Sequence, residues 1–323
     1  MSDEQQSPVP GQVTPVHDQS PHAPHTPHAS PAHSGHHHDP HVMDWDEMGP
    51  LLERGAELET PLYRRAAEWL GGIAEPTGVR RIIDVGSGPG VLTGVLAEAF
   101  PRARVVAVDA TPQLLERARD RAARSGYADR FEAHHGELPL PSGAVEALGG
   151  ADLVWAGSVV HHLGDQRAAL AELGALLRPG GVLAVVEGGL PTRALPRDIG
   201  MGRPGLEARL DAAHADWFQS MRAALPGATD AVEDWRALLA AAGLTPGGSR
   251  SFLLDVPAPA PEPVRDHLAR GFARARQALA GVLAEDDLAV LDRLLDPADP
   301  LGLALRPDLH LLTARTVHIA RRR

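Results

Sequence analysis

The chain has 323 residues, with 31 Lys plus Arg against 42 Asp plus Glu, a formal net charge of −11 and no cysteine. That length suits one large domain with insertions, and the acidic balance argues against non-specific contact with nucleic acid or an anionic membrane. The missing thiols exclude disulfides, thiolate metal sites and a cysteine nucleophile, and the missing lysine excludes a P-loop lysine and Schiff-base chemistry.

No apolar run approaches the roughly 20 residues of a membrane span. The polar, acidic start does not read as a secretory signal, so the expected location is the cytoplasm. Residues 1–42 are dominated by Pro, Ser, His and Gln without apolar periodicity. Such a segment cannot bury enough surface to offset its ordering entropy and is expected to be disordered. It carries His17, His22, His25, His28, His33, His36, His37, His38 and His41. Neutral imidazoles at that density are expected to bind Zn²⁺ or Ni²⁺ weakly. The spacing is irregular and no thiol is present, so no structural metal site is expected.

The folded part is expected from residue 43. Helices are predicted over Trp45–Glu57 and from Pro61, at a first-turn position, to Leu70, with Gly71 and Gly72 as the stop. Strand and helix then alternate. Strands are read at Val79–Val85, Ala103–Val108, Phe131–His134, Leu153–Ala156 and Val182–Glu187. Between them come helices at Val91–Phe100, Pro112–Ser125 and Gln166–Leu177. Short connections with this rhythm imply a parallel sheet covered on both faces. After strand five the rhythm breaks, with helices at about Gly205–Ala224 and Glu233–Ala242 and a strand at Ser251–Val256. Helices at about Val264–Leu283 and Glu285–Leu295 follow, then a closing strand at Leu311–Ile319. The expected fold is α/β, a doubly wound, seven-stranded, mostly parallel sheet. Residues 43–190 form its cofactor-binding half, and 191–323 form the second half with helical lid insertions at about 191–230 and 257–308.

The most informative stretch is Asp84-Val85-Gly86-Ser87-Gly88-Pro89-Gly90, a strand end running into a glycine turn and a helix. That arrangement lets backbone approach a nucleotide-bearing ligand. It is not the dinucleotide fingerprint G-x-G-x-x-G, because Val91 stands where the third glycine is required. Asp84 would repel a pyrophosphate but suits a ligand with an amine and a sulfonium. Asp109 ends the second strand about 20 residues beyond the turn, where a carboxylate grips ribose hydroxyls. It could also cap the next helix with Thr111, and both roles can hold at once.

These stretches, together with Ala151–Val154, Val160-His161-His162-Leu163 and Leu177-Arg178-Pro179-Gly180-Gly181, resemble class I S-adenosylmethionine-dependent methyltransferases. The last two are similar to the small-molecule type that includes the ubiquinone and menaquinone biosynthesis enzymes. The resemblance spans roughly residues 50–190. It implies an enzyme that moves a methyl group from S-adenosylmethionine to a small-molecule acceptor. It places Gly86 and Gly88 against the cofactor's methionine part, Asp84 toward its amino group directly or through water, and Asp109 on the ribose. Glu137 is the candidate for the adenine amino group, although the family usually has Asp there, and a solvated loop acid is the other reading. Gly157 aligns with a backbone contact to the cofactor.

If the acceptor is a phenol, hydroxyl or acidic carbon, a base helps. His161, His162 and Glu187, at the sheet's carboxyl edge, are the catalytic candidates. The competing readings are that His161 packs under a helix, His162 orients the loop and Glu187 caps a helix. Trp155 is read as cofactor neighbour or core filler. An alternative for the whole chain is a non-catalytic cofactor-binding protein whose His-rich tail binds metal ions or a partner. A nicotinamide dehydrogenase is disfavoured by Val91 and Asp84. Nucleic-acid methylation is disfavoured by charge and by Gly157-Ser158-Val159-Val160, which stands where an Asn/Asp-Pro-Pro-aromatic motif would be.

Overall fold

The computed structural model describes residues 45–74, 78–141 and 143–323. The predicted tail, residues 1–42, and its histidines lie outside the described residues.

The chain opens with one helix, α1 (Trp45–Ile73), where the sequence predicts two. Pro61 removes one backbone donor inside it, an effect of about 3 kcal/mol. Leu62, Ala66 and Leu70 are fully buried on its inner face, and each leucine contributes about 1.5–3 kcal/mol. Burial outweighs the proline, and for the same reason Gly71 and Gly72 do not stop the helix. The Thr60 hydroxyl bonds the Ala56 carbonyl at 3.2 Å.

The alternating region follows the expected order, with ends shifted by at most two residues up to α5. It comprises β1 (Arg81–Val85), α2 (Val91–Ala99), β2 (Arg104–Asp109), α3 (Pro112–Arg124), β3 (Phe131–His135), a five-residue α4 (Ala144–Leu148) that no sequence pattern announces, β4 (Ala151–Gly157) and α5 (Gln166–Ala175). β5 (Leu177–Arg193) is much longer than the predicted Val182–Glu187. It runs on past Pro191 because β7 continues to pair with it, as far as Arg193 opposite Leu312. The second half holds α6 (Leu206–Ala223), α7 (Trp235–Ala241), β6 (Thr245–Val256), α8 (Glu262–Ala278), α9 (Glu285–Leu295) and β7 (Leu311–Arg321).

The seven strands lie in the order β3-β2-β1-β4-β5-β7-β6. β1 to β5 pair in parallel, and only β7 runs against its neighbours. Alternate residues serve opposite faces. Ile82 packs with Leu62, Leu96 and Trp155 on one side, whereas Ile83 packs with Val154, Leu170 and Trp235 on the other. The strand order reverses between β1 and β4, and the crevice beyond the carboxyl ends there is where such sheets bind ligands. The doubly wound, mostly parallel sheet expected from the sequence is the one found.

Candidate active site

A cavity of about 1060 Å³ opens at that reversal point. Its floor is main chain: Gly86 and Gly88 from the β1–α2 turn and Gly157 from the end of β4 line it, with Asp109 beside them. The turn is held by the Val108 carbonyl, which accepts the N–H groups of Gly86 and Ser87 at 2.8 and 3.1 Å. Gly90 closes it at φ +77, and a Cβ there would sit 2.9 Å from the Cα of Ala118. Only glycine lets α2 and α3 approach so closely. Gly88, at φ +53, has nothing within 4 Å of where a Cβ would stand. A side chain at that point would enter the cavity.

Asp109 accepts the Gly88 N–H on Oδ2 at 2.7 Å and the Thr111 N–H on Oδ1 at 2.9 Å. Burial raises its pKa, and the two backbone donors hold it down. Each carboxylate oxygen keeps a further lone pair for a ligand hydroxyl. Thr111 is the N-cap residue of α3, but its side chain makes no capping bond.

Asp84 lies beneath the turn, 2 % exposed, and does not itself line the cavity. Its Oδ2 accepts the Thr93 hydroxyl at 2.6 Å. Burial pushes its pKa up to about 7, the Thr93 bond opposes that and the nearby Asp109 adds to it. Ser87 Oγ is buried without a partner and its residue lines the cavity. A polar hydroxyl left open beside a glycine cradle suits a ligand with a charged, hydrogen-bonding end. Glu137, by contrast, is exposed and is not part of the cavity wall. Trp155 is 1 % exposed, packed edge-on to Tyr63 with centroids 6.1 Å apart, so it fills the core.

The opposite wall comes from α1 and α8. Glu59, Tyr63 and Leu58 belong to the former and Asp266, His267 and Arg270 to the latter. No local pattern singles out these residues. They sit on amphipathic helices whose polar faces look like any solvated face. Glu59 is ion-paired to Arg315 of β7 at 2.5 Å. Burial lowers the His267 pKa, so its imidazole is neutral near pH 7.

His161 and Glu187 come together, but on a second cavity of about 290 Å³. The pairing of β5 with β7 shifts register between Val186 and Gly189, and Glu187 sits in that irregularity. A bulge of this kind re-aims a side chain. Glu187 Oε1 accepts the N–H groups of Val160 and His161 at 2.9 and 3.3 Å. Oε2 meets Nδ1 of His161 at 2.7 Å. The carboxylate thus caps the single 3₁₀ turn Val160–His162 that follows β4. Arg222 of α6 clamps the same turn by donating to the His161 carbonyl at 2.8 Å. His162 packs against His161 with ring centroids 3.9 Å apart and the planes tilted by 44°, and it lines neither cavity. Burial, then repulsion with the neighbouring His161 ring, lowers its pKa, and Glu187 opposes them. Ser158 lines both cavities, and its φ of +56 is the only left-handed backbone found at a non-glycine among the described residues.

Both insertions therefore reach the ligand-binding edge: α8 walls the large cavity, and Phe218 of α6 walls the small one. They are tied together by Arg209 of α6, which grips the buried Asp287 of α9 through two bonds of 2.8 Å. No helix among the described residues is long and apolar enough to cross a membrane.

Residues 83–183 match the family described as "Methyltransferase domain". Among curated proteins, the chain is 36 % identical over 145 residues to a trans-aconitate 2-methyltransferase of Methylobacterium radiotolerans, covering 45 % of this chain and 49 % of that one. It is 37 % identical over 144 residues to a demethylmenaquinone methyltransferase of Thermus thermophilus, covering 44 % of this chain and 60 % of that one. The chain thus spans about half the length of these relatives. A solved O-methyltransferase family protein from Burkholderia thailandensis aligns with a TM-score of 0.46 at 21 % identity, over 66 % of this chain and 57 % of that one.

Proposed function

We propose, from the match of residues 83–183 to the methyltransferase domain family, that the protein transfers a methyl group from S-adenosylmethionine to a small-molecule acceptor. The observation that carries this reading is the cavity floor, where Gly86, Gly88, Asp109 and Gly157 meet at the sheet's reversal point. The relatives are named for small acceptors, a tricarboxylate in one case and a menaquinone precursor in the other.

The bound cofactor supplies an electrophilic methyl group on a sulfonium, already activated for transfer. The protein's part is to hold and orient. Asp109 has lone pairs left to receive two ribose hydroxyls. Gly86 and Gly88 bring main chain against the amino-acid end, and the unpartnered Ser87 hydroxyl is at hand for its polar groups. Asp84 offers a carboxylate behind the turn, through water, to an ammonium. Catalysis then depends on a nucleophile held about 3–3.5 Å from the methyl carbon and in line with the breaking bond. Where that nucleophile carries a proton, His161 is the base assigned here and Glu187 its positioning partner. His162 supports the ring by packing against it at a tilt. Weak divalent-metal binding by the His-rich segment is proposed as a separate property of residues 17–41.

The test is calorimetric titration with S-adenosylmethionine and S-adenosylhomocysteine, on wild type and Asp109→Ala, with chelator present to silence the histidines. Binding to wild type that collapses in the variant supports the reading. A wild type that binds neither ligand overturns it.

A further inference from the structure

Away from the ligand-binding edge of the sheet, α1, α2 and α3 enclose a cleft of about 530 Å³. We propose that this cleft is a separate binding site for a small monocarboxylate with a hydrocarbon body, held by the Tyr127 hydroxyl and Nε of Arg121. The site is independent of the methyl transfer proposed above.

Two polar groups of the cleft are left open. Tyr127 is 4 % exposed, and its hydroxyl oxygen is buried without a hydrogen-bond partner among the described residues. Nε of Arg121 is buried in the same condition. Both residues line the cleft, whose volume falls within the range of ligand pockets, about 300–1,000 Å³. Buried polar groups are almost always paired, so two open ones in a single cleft point to an occupant that satisfies them. Gly94 of α2 keeps the space beside them clear. A Cβ there would stand 3.4 Å from the Tyr127 hydroxyl oxygen. Glycine inside a helix is unfavourable relative to alanine, and here its missing side chain leaves room at the hydroxyl.

The open groups select the ligand. An arginine Nε–H can only donate. Burial pushes the Tyr127 pKa up to about 12, with Arg121 the largest charge opposing it, so the hydroxyl keeps its proton near pH 7 and also donates. Two donors call for an acceptor, and bonds to an ionised acceptor are the stronger ones. A carboxylate has an oxygen for each. The remaining donors nearby are engaged. Arg130 gives N–H groups to the carbonyls of Ala97 and Ala103 at 2.6 and 3.0 Å, Arg64 pairs with Glu98 at 3.1 Å, and Nη2 of Arg121 meets Glu57 at 2.6 Å.

Charge narrows the class further. Arg64, Arg121 and Arg130 face Glu57 and Glu98 around the cleft, which leaves one positive charge in excess. A single carboxylate balances it, whereas a doubly charged phosphate overshoots and an ammonium finds both open groups pointing the wrong end of their dipoles at it. Pro61, Val91 and Val95 supply an apolar wall for a hydrocarbon body. Glu57 and Val91 also line the large cavity, but Gly86, Gly88 and Asp109 do not line the cleft. An occupant therefore lies next to the cofactor site without entering it.

The chain has two tyrosines, Tyr127 on the cleft and Tyr63 on the large cavity. Tyrosine labelled with ¹³C at the phenol carbon thus gives one NMR signal for each cavity, assigned with Tyr127→Phe. Sodium hexanoate, hexan-1-ol and hexylamine are titrated separately into the full chain. Hexanoate should move the Tyr127 signal saturably and leave Tyr63 in place, and the alcohol and the amine should produce no saturable shift. Arg121→Lys, which keeps the charge but lacks the Nε donor, should bind hexanoate about tenfold more weakly. Gly94→Ala, whose methyl stands beside the hydroxyl, should abolish the shift. A Tyr63 signal at its wild-type position certifies the fold of each variant. The site is overturned by a wild type that does not respond, by hexan-1-ol or hexylamine acting as hexanoate does, by Tyr63 moving in step, or by wild-type affinity in both variants. Should Arg121→Lys lose the native Tyr63 signal, Gly94→Ala decides alone, since alanine is the better helix residue.

Discussion

The two cavities share a residue, Ser158, yet they are built from different material. The large one rests on main chain: a glycine turn, two backbone amides on Asp109 and the exposed end of β4. The small one is made of side chains brought together from β4's following turn, the β5 irregularity, α6 and α7. The difference separates a general ligand from a particular one. A backbone cradle recognises what every member of a cofactor family shares, whereas side chains on inserted helices can change without disturbing it. The insertions are nevertheless held firmly. Arg209 on Asp287, and the 5 %-exposed Arg306 on Asp308 and the Ile199 carbonyl, pin them with charge-assisted bonds.

The largest expected effect lies beneath the backbone cradle. Asp84 binds its proton more tightly in the folded protein, with a pKa of about 7 against 3.8 for the free side chain. Below about pH 4 both folded and unfolded chains hold the proton, and the full stability is present. Between about pH 4 and 7 the unfolded chain releases it first, so this contribution is lost as pH rises and is gone above 7. The shift corresponds to about 4 kcal/mol at most. Asp84→Asn keeps an oxygen for the Thr93 hydroxyl and removes the titration. Urea denaturation should show the variant gaining on wild type by up to about 3 kcal/mol between pH 4.5 and 8, and a difference that does not change with pH would refute the buried-acid account. An ammonium bound near Asp84 draws off the same proton. S-adenosylhomocysteine binding at pH 6.5 should therefore release protons, seen as a binding enthalpy that depends on the buffer.

Next in size is the turn itself. Gly90→Ala combines a left-handed backbone, about 1–2 kcal/mol, with a Cβ 2.7 Å from that of Ala118 and the overpacking this brings, about 1–3 kcal/mol. A loss of roughly 3 kcal/mol in urea denaturation is expected. Gly88→Ala carries only the backbone strain and places its methyl in the cavity, so its main effect should be on S-adenosylhomocysteine affinity. If the two variants behaved alike, the cavity would not lie where Gly88 faces. Asp109→Ala comes third. Loss of a charged acceptor costs about 1.5–3 kcal/mol per bond to a ligand, which predicts about 10–100-fold weaker binding by calorimetry for each ribose hydroxyl it holds.

The same division explains what the sequence disclosed. Strand runs such as Val105–Val108 and the glycine turn are local signals, so the alternating half, its sheet and the residues of the large cavity floor are legible in the sequence. α1 departs from its local pattern because Pro61 is a local signal that tertiary burial of Leu62 and Leu70 overrides. His161 and Glu187 were visible as residues, but their pairing depends on a register shift opposite β7, about 130 residues away in the chain, which no local pattern encodes. Glu59, Tyr63 and His267 were invisible for a related reason. Their helices are amphipathic in the ordinary way, and only the packing of α8 near α1 turns their polar faces toward a cavity.

Glu137 puts the smallest effect, and the sharpest contrast, on the cradle side. The family resemblance assigns it to the adenine, while the structure leaves it exposed and off the cavity wall. Its neighbours are fixed independently of it: Gly136 donates to the Asp109 carbonyl at 3.0 Å and Leu138 is buried. An exposed carboxylate acting only at a distance is screened within about 8–10 Å by physiological salt. Glu137→Ala should therefore leave S-adenosylhomocysteine affinity within about twofold of wild type, a change below about 0.4 kcal/mol. A loss of tenfold or more would mean that the segment after β3 swings inward when the cofactor binds. In that case the cradle would need one side chain from a loop, and the contrast between a backbone-built cavity and a side-chain-built one would hold only before binding.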